Sequence, residues 1–439
     1  MKQFQDYIKG ISPTALLIQG YLFYMIVGWA LLSLPLSQVD AIGALDNLFI
    51  AASAVSTTGL VTVDPGSSYT FFGQLVILGL IQLGGIGYMT FGSFILLSLR
   101  HKAFRKSLKV SEKAFALPED FKIAHFIKRV IVFTFICEAI GAAVLFAFFY
   151  QDGLDNALWI AIFHSISAFC TAGFSLFSNS FESYADHTGI NVIISALSIL
   201  GAIGFIVMVD VWEKIRGQRD YLHFTSKIIV RTTLLFLVIG TLVLTIIEPS
   251  IQNLDPATRV QAAFFQVMTA TTTVGFNTIP IGELTSAAIL LLYFFMLFGA
   301  SPSGTGGGLK STTFAALGGL VKSTLKGRDK IRLSKRILPL DKLQLATASF
   351  TYYFLVLAVA SFVLLLVESA PLEIVLFEVF SALGTVGLSM GLTGELSDLG
   401  KLVIIILMFM GRVGILTFGI AMSMHDESKI EEGDNDLVL

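Results

Sequence analysis

Four stretches of this chain align with one another without a gap, and that repetition limits the fold more than any other property of the sequence. Counted from Gly59, Gly173, Gly275 and Gly387, the residue two before is Thr57, Thr171, Thr273 and Thr385, and the residue after is Leu60, Phe174, Phe276 and Leu388. Five before stands Ala54, Ala168, Ala270 and Ala382; six before, Ser53, Ser167, Thr269 and Ser381; ten before, Phe49, Phe163, Phe265 and Phe377. The glycines lie 114, 102 and 112 residues apart, so each marks one copy of a sizeable unit.

Each copy sits between two apolar stretches. The chain is 55% hydrophobic and 14% charged with a mean hydropathy of +0.80, which excludes an ordinary soluble globular chain. None of residues 10–39, 65–99, 187–209, 284–309 and 343–367 carries Asp, Glu, Lys or Arg, and each can hold the roughly 20 residues that cross a bilayer as helix. First spans are expected at 16–37, 128–150, 228–247 and 345–367, and second spans at 72–99, 190–212, 286–310 and 399–424. The first is too long for a signal-peptide core and should stay in the mature protein. Between spans there is room only for a short helix, about nine residues from Asp46 to Gly59, then an extended Thr-x-Gly loop and a turn at Asp64-Pro65-Gly66. Non-helical backbone is tolerated at membrane depth only where protein buries it or water lines it. The expected fold is therefore an all-α membrane protein of four pseudo-repeated helix, pore loop, helix units, with eight transmembrane helices and four re-entrant pore helices around one central pore. The units cover 10–105, 120–215, 225–320 and 340–424, followed by an acidic tail over 425–439.

The 29 basic residues cluster in 100–129, 214–231 and 310–342, with two in the N-terminal arm and Lys429 in the tail; only Arg259 and Lys401 fall opposite, and Arg412 lies inside an apolar stretch. By the positive-inside rule the basic loops and both termini face the cytoplasm. The other face collects carboxylates, Asp40, Asp46, Asp64, Asp152, Glu248 and Glu378 among them, which would raise local cation concentration at a pore mouth. Cys137 and Cys170 both fall in apolar segments and read as small hydrophobes.

Four loops can supply rings of backbone carbonyl oxygens that replace an ion's hydration shell, with glycine where the chain must turn those oxygens inward. The segments assigned to this task are Val55-Ser56-Thr57-Thr58-Gly59, Phe169-Cys170-Thr171-Ala172-Gly173, Thr271-Thr272-Thr273-Val274-Gly275 and Leu383-Gly384-Thr385-Val386-Gly387. None contains Lys or Arg, and the short helices aim their negative C-terminal ends at the loops, so the expected cargo is a cation. Small residues recur in the second spans, at Gly84, Gly201, Gly299 and Gly411, where they permit close packing.

Two features mark a gate. In the third unit Ala300-Ser301-Pro302-Ser303-Gly304-Thr305-Gly306-Gly307-Gly308, with Lys310 beyond it, cannot hold an uninterrupted helix. At the same depth in the fourth unit Arg412 takes the place of Gly85, Ala202 and Ala300, and a charge inside the bilayer is expensive and functional by default. The expectation is that Arg412 faces the pore below the carbonyl rings and that loop 300–308 occludes that level. The competing role for Arg412 is a structural partner to an intramembrane acid such as Glu138. Gly304 to Ser311 nearly spells a phosphate loop but has Leu309 where the motif needs glycine, and it follows a membrane helix instead of a strand. His164 has no ligand neighbours in sequence and reads as packing or hydrogen bonding.

These residues, above all Thr273-Val274-Gly275 and Thr385-Val386-Gly387, resemble the filter strand of potassium channels, and the whole chain resembles the Trk/Ktr/HKT superfamily of potassium transporters, nearest to the membrane subunits of bacterial Ktr systems. The resemblance implies potassium as the transported ion at the filter, with Gly59 in place of the serine of sodium-preferring relatives, and leaves sodium open as an activator. It implies a homodimer in the bacterial inner membrane on a KtrA-like cytosolic nucleotide-binding ring. Nucleotide would be bound by that ring, with no cofactor in this chain. Every cytoplasmic segment is short, which also assigns control to another chain. The alternative is an obligatorily coupled cation symporter, although such sites lie between inverted repeats and these run parallel. An enzyme is not expected, since no acid pair, metal cluster or nucleophile–base signature is present, and neither is a nucleic-acid partner.

Overall fold

A computed structural model of the chain describes residues 13–87, 123–218, 220–302, 304–334 and 336–422. Ser303 of the expected gate, residues 88–99 of the first unit's second span, the N-terminal arm, the basic segment 100–122 and the acidic tail 425–439 lie outside the described residues.

Apolar runs in lipid can satisfy their backbone only internally, so they fold as helix. The first repeat contributes α1 (Pro13–Leu32), the short α2 (Ala44–Ser56) and α3 (Phe71–Gln82), which widens into a π-helical turn over Leu83–Gly87. The second contributes α4 (Ile123–Gln151), α5 (Ala157–Phe169), α6 (Thr188–Ala202) and α7 (Phe205–Ile215). The third has α8 (Phe224–Ile247), α9 (Pro256–Thr272), α10 (Ser286–Phe298) and α11 (Ser311–Thr324), and the fourth has α12 (Leu340–Val367), α13 (Leu372–Gly384), α14 (Asp398–Val413) and α15 (Ile415–Met422). A two-residue antiparallel ribbon, β1 (Arg332–Leu333) and β2 (Arg336–Ile337), lies between the third and fourth. Among the described residues three helices are long and apolar enough to cross a membrane, Lys128–Gln151, Phe224–Ile247 and Leu340–Val367, and a bent pair adds a fourth candidate.

The sequence departs from the structure in two places. The short helices run 13, 13, 17 and 13 residues, longer than the nine or so anticipated, because they start well before the first aligned position. The start of α9 is fixed by Pro256 and by Asp255, whose carboxylate accepts from the Ala257 and Thr258 amides at 3.1 Å. A break in a second span was expected in the third repeat, and among the described residues the second spans of the second and fourth repeats are interrupted as well. The helices flanking Gly204 bend by 101°, and Gly204 and Gly414 adopt φ of +94° and +95°, which an L side chain rarely takes. At Gly204 the reason is local: a β-carbon there would fall under 3.0 Å from the Pro302 carbonyl oxygen, so the chain turns aside for the third repeat's loop.

The packing runs in a circle. α3 rests on α5, α6 on α9, α10 on α13, and α14 returns to α2. Phe49, Phe163, Phe265 and Phe377, at most 1% exposed, fill the same place behind each short helix. In lipid their contribution is close packing instead of transfer from water. Each seam also carries a polar clasp. Ser178 donates to Asp64 at 2.6 Å, Asn277 to Glu182 at 2.7 Å, Tyr293 to the Glu373 carbonyl at 2.7 Å, and Lys401 pairs with Asp46 at 2.8 Å. Phe135, Ile140, Val238 and Leu366 are exposed on the outside, as suits a surface solvated by hydrocarbon.

Candidate functional site

The four short helices end alike. Thr57, Thr171, Thr273 and Thr385 take left-handed φ of 52°, 50°, 58° and 51°, and Gly59, Gly173, Gly275 and Gly387 follow at 93°, 67°, 88° and 92°. For threonine that conformation is strained and persists only where the surroundings over-determine it. The surroundings do so identically in each unit: the amides of Thr58, Ala172, Val274 and Val386 donate back to the carbonyls of Ser53, Ser167, Thr269 and Ser381 at 2.8 to 3.1 Å. Hydroxyls at that same position reach further, Ser53 and Ser381 accepting from the Gly59 and Gly387 amides at 3.1 and 3.0 Å, and Ser167 donating to the Phe174 carbonyl at 2.8 Å.

The loops meet. A β-carbon on Gly59 would fall under 3.0 Å from the Ala172 oxygen, on Gly173 from the Val274 oxygen, on Gly275 from the Val386 oxygen and on Gly387 from the Thr58 oxygen. The same positions stand 3.0 to 3.2 Å from the next glycine's α-carbon, so the contacts form a closed cycle of four. Val55, Ser56, Thr57, Thr58, Phe169, Cys170, Thr171, Ala172, Thr271, Thr272, Thr273, Val274, Leu383, Gly384, Thr385 and Val386 are all buried around that cycle. Gly59 and Gly275 are buried as well, whereas Gly173 and Gly387 are partly open. The cycle contains no charged side chain, and the C-terminal ends of α2, α5, α9 and α13 approach it, which makes its centre electronegative. Among the described residues no group of His, Cys, Asp and Glu is arranged to hold a metal ion, and His164 instead lies against Phe177 with centroids 4.7 Å apart.

The small residues of the second spans serve this arrangement. A β-carbon on Gly84, Gly201, Gly299 or Gly411 would fall under 3.0 Å from the carbonyl oxygen of Val55, Phe169, Thr271 or Leu383, the last helical turn of the same unit. Each second span thus presses its backbone onto the end of its own short helix.

Directly against the four threonines lies the loop of the third unit. Thr171 Oγ1 donates to Thr305 Oγ1 at 2.9 Å, Thr305 Oγ1 to the Phe169 carbonyl at 3.3 Å, and Thr57 Oγ1 to the Thr305 carbonyl at 3.4 Å. The Gly307 amide donates to Thr385 Oγ1 at 2.9 Å, and a side chain on Gly306 would collide with Thr273 Oγ1. One loop touches all four units. Its base is closed by Ser311 donating to the Ala300 carbonyl at 2.8 Å and by Ser301 and Ser311 hydroxyls 3.2 Å apart, while Gly304 packs on the Ala202 carbonyl and Gly308 on Gly384. Two cations hold the loop by its carbonyls. Lys310 Nζ donates to Gly306 and Gly307 at 2.8 and 3.0 Å, and Arg412 donates to Thr305 and to Gly84. Glu138, the alternative partner for Arg412, is engaged elsewhere: Gln82 Nε2 donates to both its oxygens at 3.1 and 3.2 Å.

Comparison with known proteins decides the family. The family model for TrkH, described as a cation transport protein, matches residues 27–432. The chain belongs to the TrkH family. It is 35% identical to Ktr system potassium uptake protein B of Bacillus subtilis over 97% of this chain and 96% of that protein, and 34% identical to the Vibrio alginolyticus protein of the same name over 97% and 94%. It is also 34% identical to the potassium/sodium uptake protein NtpJ of Enterococcus hirae over 93% and 92%. The crystal structure of the potassium transporter TrkH from Vibrio parahaemolyticus superposes with a TM-score of 0.73 at 21% identity, covering 94% of this chain and 86% of that one, so the fold is that of TrkH.

In this TrkH-family chain the structure brings together the glycines, the loop and Arg412 that sequence reasoning singled out, and adds neighbours that it did not. Tyr21 donates to the Val55 carbonyl from α1, a link with no local signature. The hydroxyls of Ser53, Ser167 and Ser381 were visible as an aligned column, but their reach over the loop amides was not. Cys170 is buried among polar groups, its Sγ 3.6 Å from Gln82 Oε1 and 3.8 Å from Glu138 Oε1, so it does more than fill space.

Proposed function

We propose that this chain is the ion-translocating membrane subunit of a Ktr-type potassium uptake system, with eight membrane spans and four re-entrant loops around one pore. Potassium would pass through the cycle of carbonyls at 55–59, 169–173, 271–275 and 383–387. The single observation that carries this is the closed glycine-to-carbonyl cycle, in which four non-identical loops are held at equivalent strained angles about one axis. Carbonyl oxygens brought together by four loops and the C-terminal ends of four helices suit a dehydrated cation.

Loop 300–308 is proposed as the gate, with Ser303 among its residues. It stands across the threonine side of the cycle, and the charges of Arg412 and Lys310 on its carbonyls oppose a cation arriving there. The proposal further includes a homodimer, a KtrA-like cytosolic ring that binds the regulating nucleotide, sodium as an activator and a bacterial inner-membrane location with cytoplasmic termini. What supports these is the identity to Ktr system proteins along nearly the whole chain. Obligatory symport is not favoured, because the units run parallel and pack in a circle without the inverted halves that form such sites.

The test is complementation of bacteria that lack potassium uptake, with and without a cytosolic partner subunit. Growth at low potassium should be rescued and should be abolished by Gly275→Ala, which forces a β-carbon onto the Val386 oxygen at φ 88°. Rescue that survives the substitution at equal membrane level would remove the cycle as the ion path.

A further inference from the structure

Behind the fourth loop stands a buried carboxylate that the ion path described above does not use. Glu378, nine residues before Gly387 in α13, is 0% exposed, although its position along the chain groups it with the outward-facing acids. Burying a carboxylate is costly unless donors meet it. Here the donors are hydroxyls of the segment leaving the cycle: Ser389 donates to Oε1 and Thr393 to Oε2 at 2.9 Å. Thr393 Oγ1 also lies 3.0 Å from Ser389 Oγ, which accepts from the Gly391 amide at 3.0 Å. Ser389 is the second residue after Gly387. Among the described residues no cation pairs with this carboxylate.

The same two register positions are joined in the second unit by different chemistry. His164, nine before Gly173 and 0% exposed, places Nε2 3.0 Å from the hydroxyl of Ser175, the second residue after Gly173. Its Nδ1 is 2.8 Å from the Ile160 carbonyl, which can only accept, so Nδ1 carries the proton and Nε2 accepts from Ser175 and from the Leu176 amide at 3.4 Å. The first and third units lack the link. Ile50 and Gln266 hold the helix position and Val61 and Asn277 the loop position, and Asn277 turns to the second unit's loop instead. In the cycle the second and fourth units face one another, and theirs are the two glycines, Gly173 and Gly387, that are partly open.

We propose that Glu378 and His164 are positioning residues for ion selection, each anchoring the outer end of its loop through Ser389 or Ser175 and so fixing the carbonyls at Gly387 and Gly173. This rests on the carbonyl-ring reading of the site. A ring selects by its size or by the field of its oxygens, and both change when a segment drifts by about 0.5 Å. The two protein-backed loops need no anchor of this kind. The two open ones receive it from behind, on opposite sides of the axis.

The test uses the full chain in lipid vesicles, measuring radioactive rubidium influx and its inhibition by potassium and by sodium at equal protein incorporation. Glu378→Ala and Ser389→Ala should each lower the potassium-to-sodium preference roughly tenfold, as expected for one buried link left unmade. The double variant should be no worse than either, and Glu378→Gln, which keeps an acceptor for Ser389, should stay near wild type. An unchanged preference in both single variants, or strictly multiplicative effects in the double one, would overturn the anchor. If Glu378→Ala does not reach the vesicles, Ser389→Ala decides, because it removes one hydroxyl from a partly exposed residue. Gly387→Ala separates the two levels. Unchanged preference there sinks the carbonyl ring itself, while lost preference there with an unmoved Ser389→Ala sinks only the anchor.

Discussion

Replacing Arg412 with alanine removes a charged side chain that ties the third unit's loop to α14 of the fourth unit and, through Gly84, ties α14 to the first unit. Of its three carbonyl bonds, to Thr305, Gly84 and Gly85, only that to Thr305 joins the loop to its frame. A hydrogen bond from a charged donor is worth roughly 1.5–3 kcal/mol, and 1.4 kcal/mol is a factor of ten in a population ratio. If the loop exchanges between a position across the threonines and one clear of them, Arg412→Ala should shift that ratio roughly ten- to hundredfold toward the clear position. Losing the positive charge acts in the same direction on a passing cation, so Arg412→Gln, which keeps a donor without the charge, should give an intermediate rise. The assay is initial rubidium influx into vesicles at matched incorporation. The added flux should vanish when Gly275→Ala is combined with Arg412→Ala, which shows that it runs through the cycle. Influx equal to or below wild type in both arginine variants would refute the argument that this bond holds the loop closed.

The second-span glycines should be sensitive by contact and not by conformation: Gly299→Ala places a β-carbon under 3.0 Å from the Thr271 oxygen and should cost roughly 1–3 kcal/mol by overpacking, whereas Gly79→Ala, with nothing within 4 Å in mid-helix, should stabilise by about 0.5–1 kcal/mol. Melting in detergent followed by size exclusion separates the two. Between α8 and α9, burial pushes the Glu248 carboxyl up, but hydrogen bonds from Ser250 and Thr285 outweigh it and hold the group below its ordinary value. Its stabilising contribution is therefore complete above the ordinary carboxylate value of about 4.3 and is lost as pH falls through the lower folded value; Glu248→Gln should flatten that acid-side loss in a melting series.

The in-register columns were legible because a repeat exposes its invariants without any structure. Thr57, Thr171, Thr273 and Thr385 stood out as identities, but nothing in a threonine announces a left-handed backbone, since its intrinsic preference runs the other way. The position is imposed by the loop's closure on neighbouring units, which is a tertiary effect. The breaks at Gly204 and Gly414 were missed for a related reason: glycine is equally compatible with a packed helix and with a turn, and the nearby Pro302 carbonyl decides at Gly204. Arg412 was legible because charge in an apolar run is rare. Its partner was not, because carbonyl acceptors leave no trace in side-chain identity.

The circle of packing also sets an order of assembly. Helices emerge from synthesis N-terminal first, so α2 is made long before α14, the element that must lie on it and whose Lys401 meets Asp46. Three of the four seams can form as the chain grows, but the fourth waits for residues 398–413. Until they arrive α2 has one flank unsupported, and the earliest loop, Val55 to Gly59, lacks the neighbour that Thr58 needs at Gly387. A nascent chain of this design is incomplete at its oldest part until its newest part is inserted.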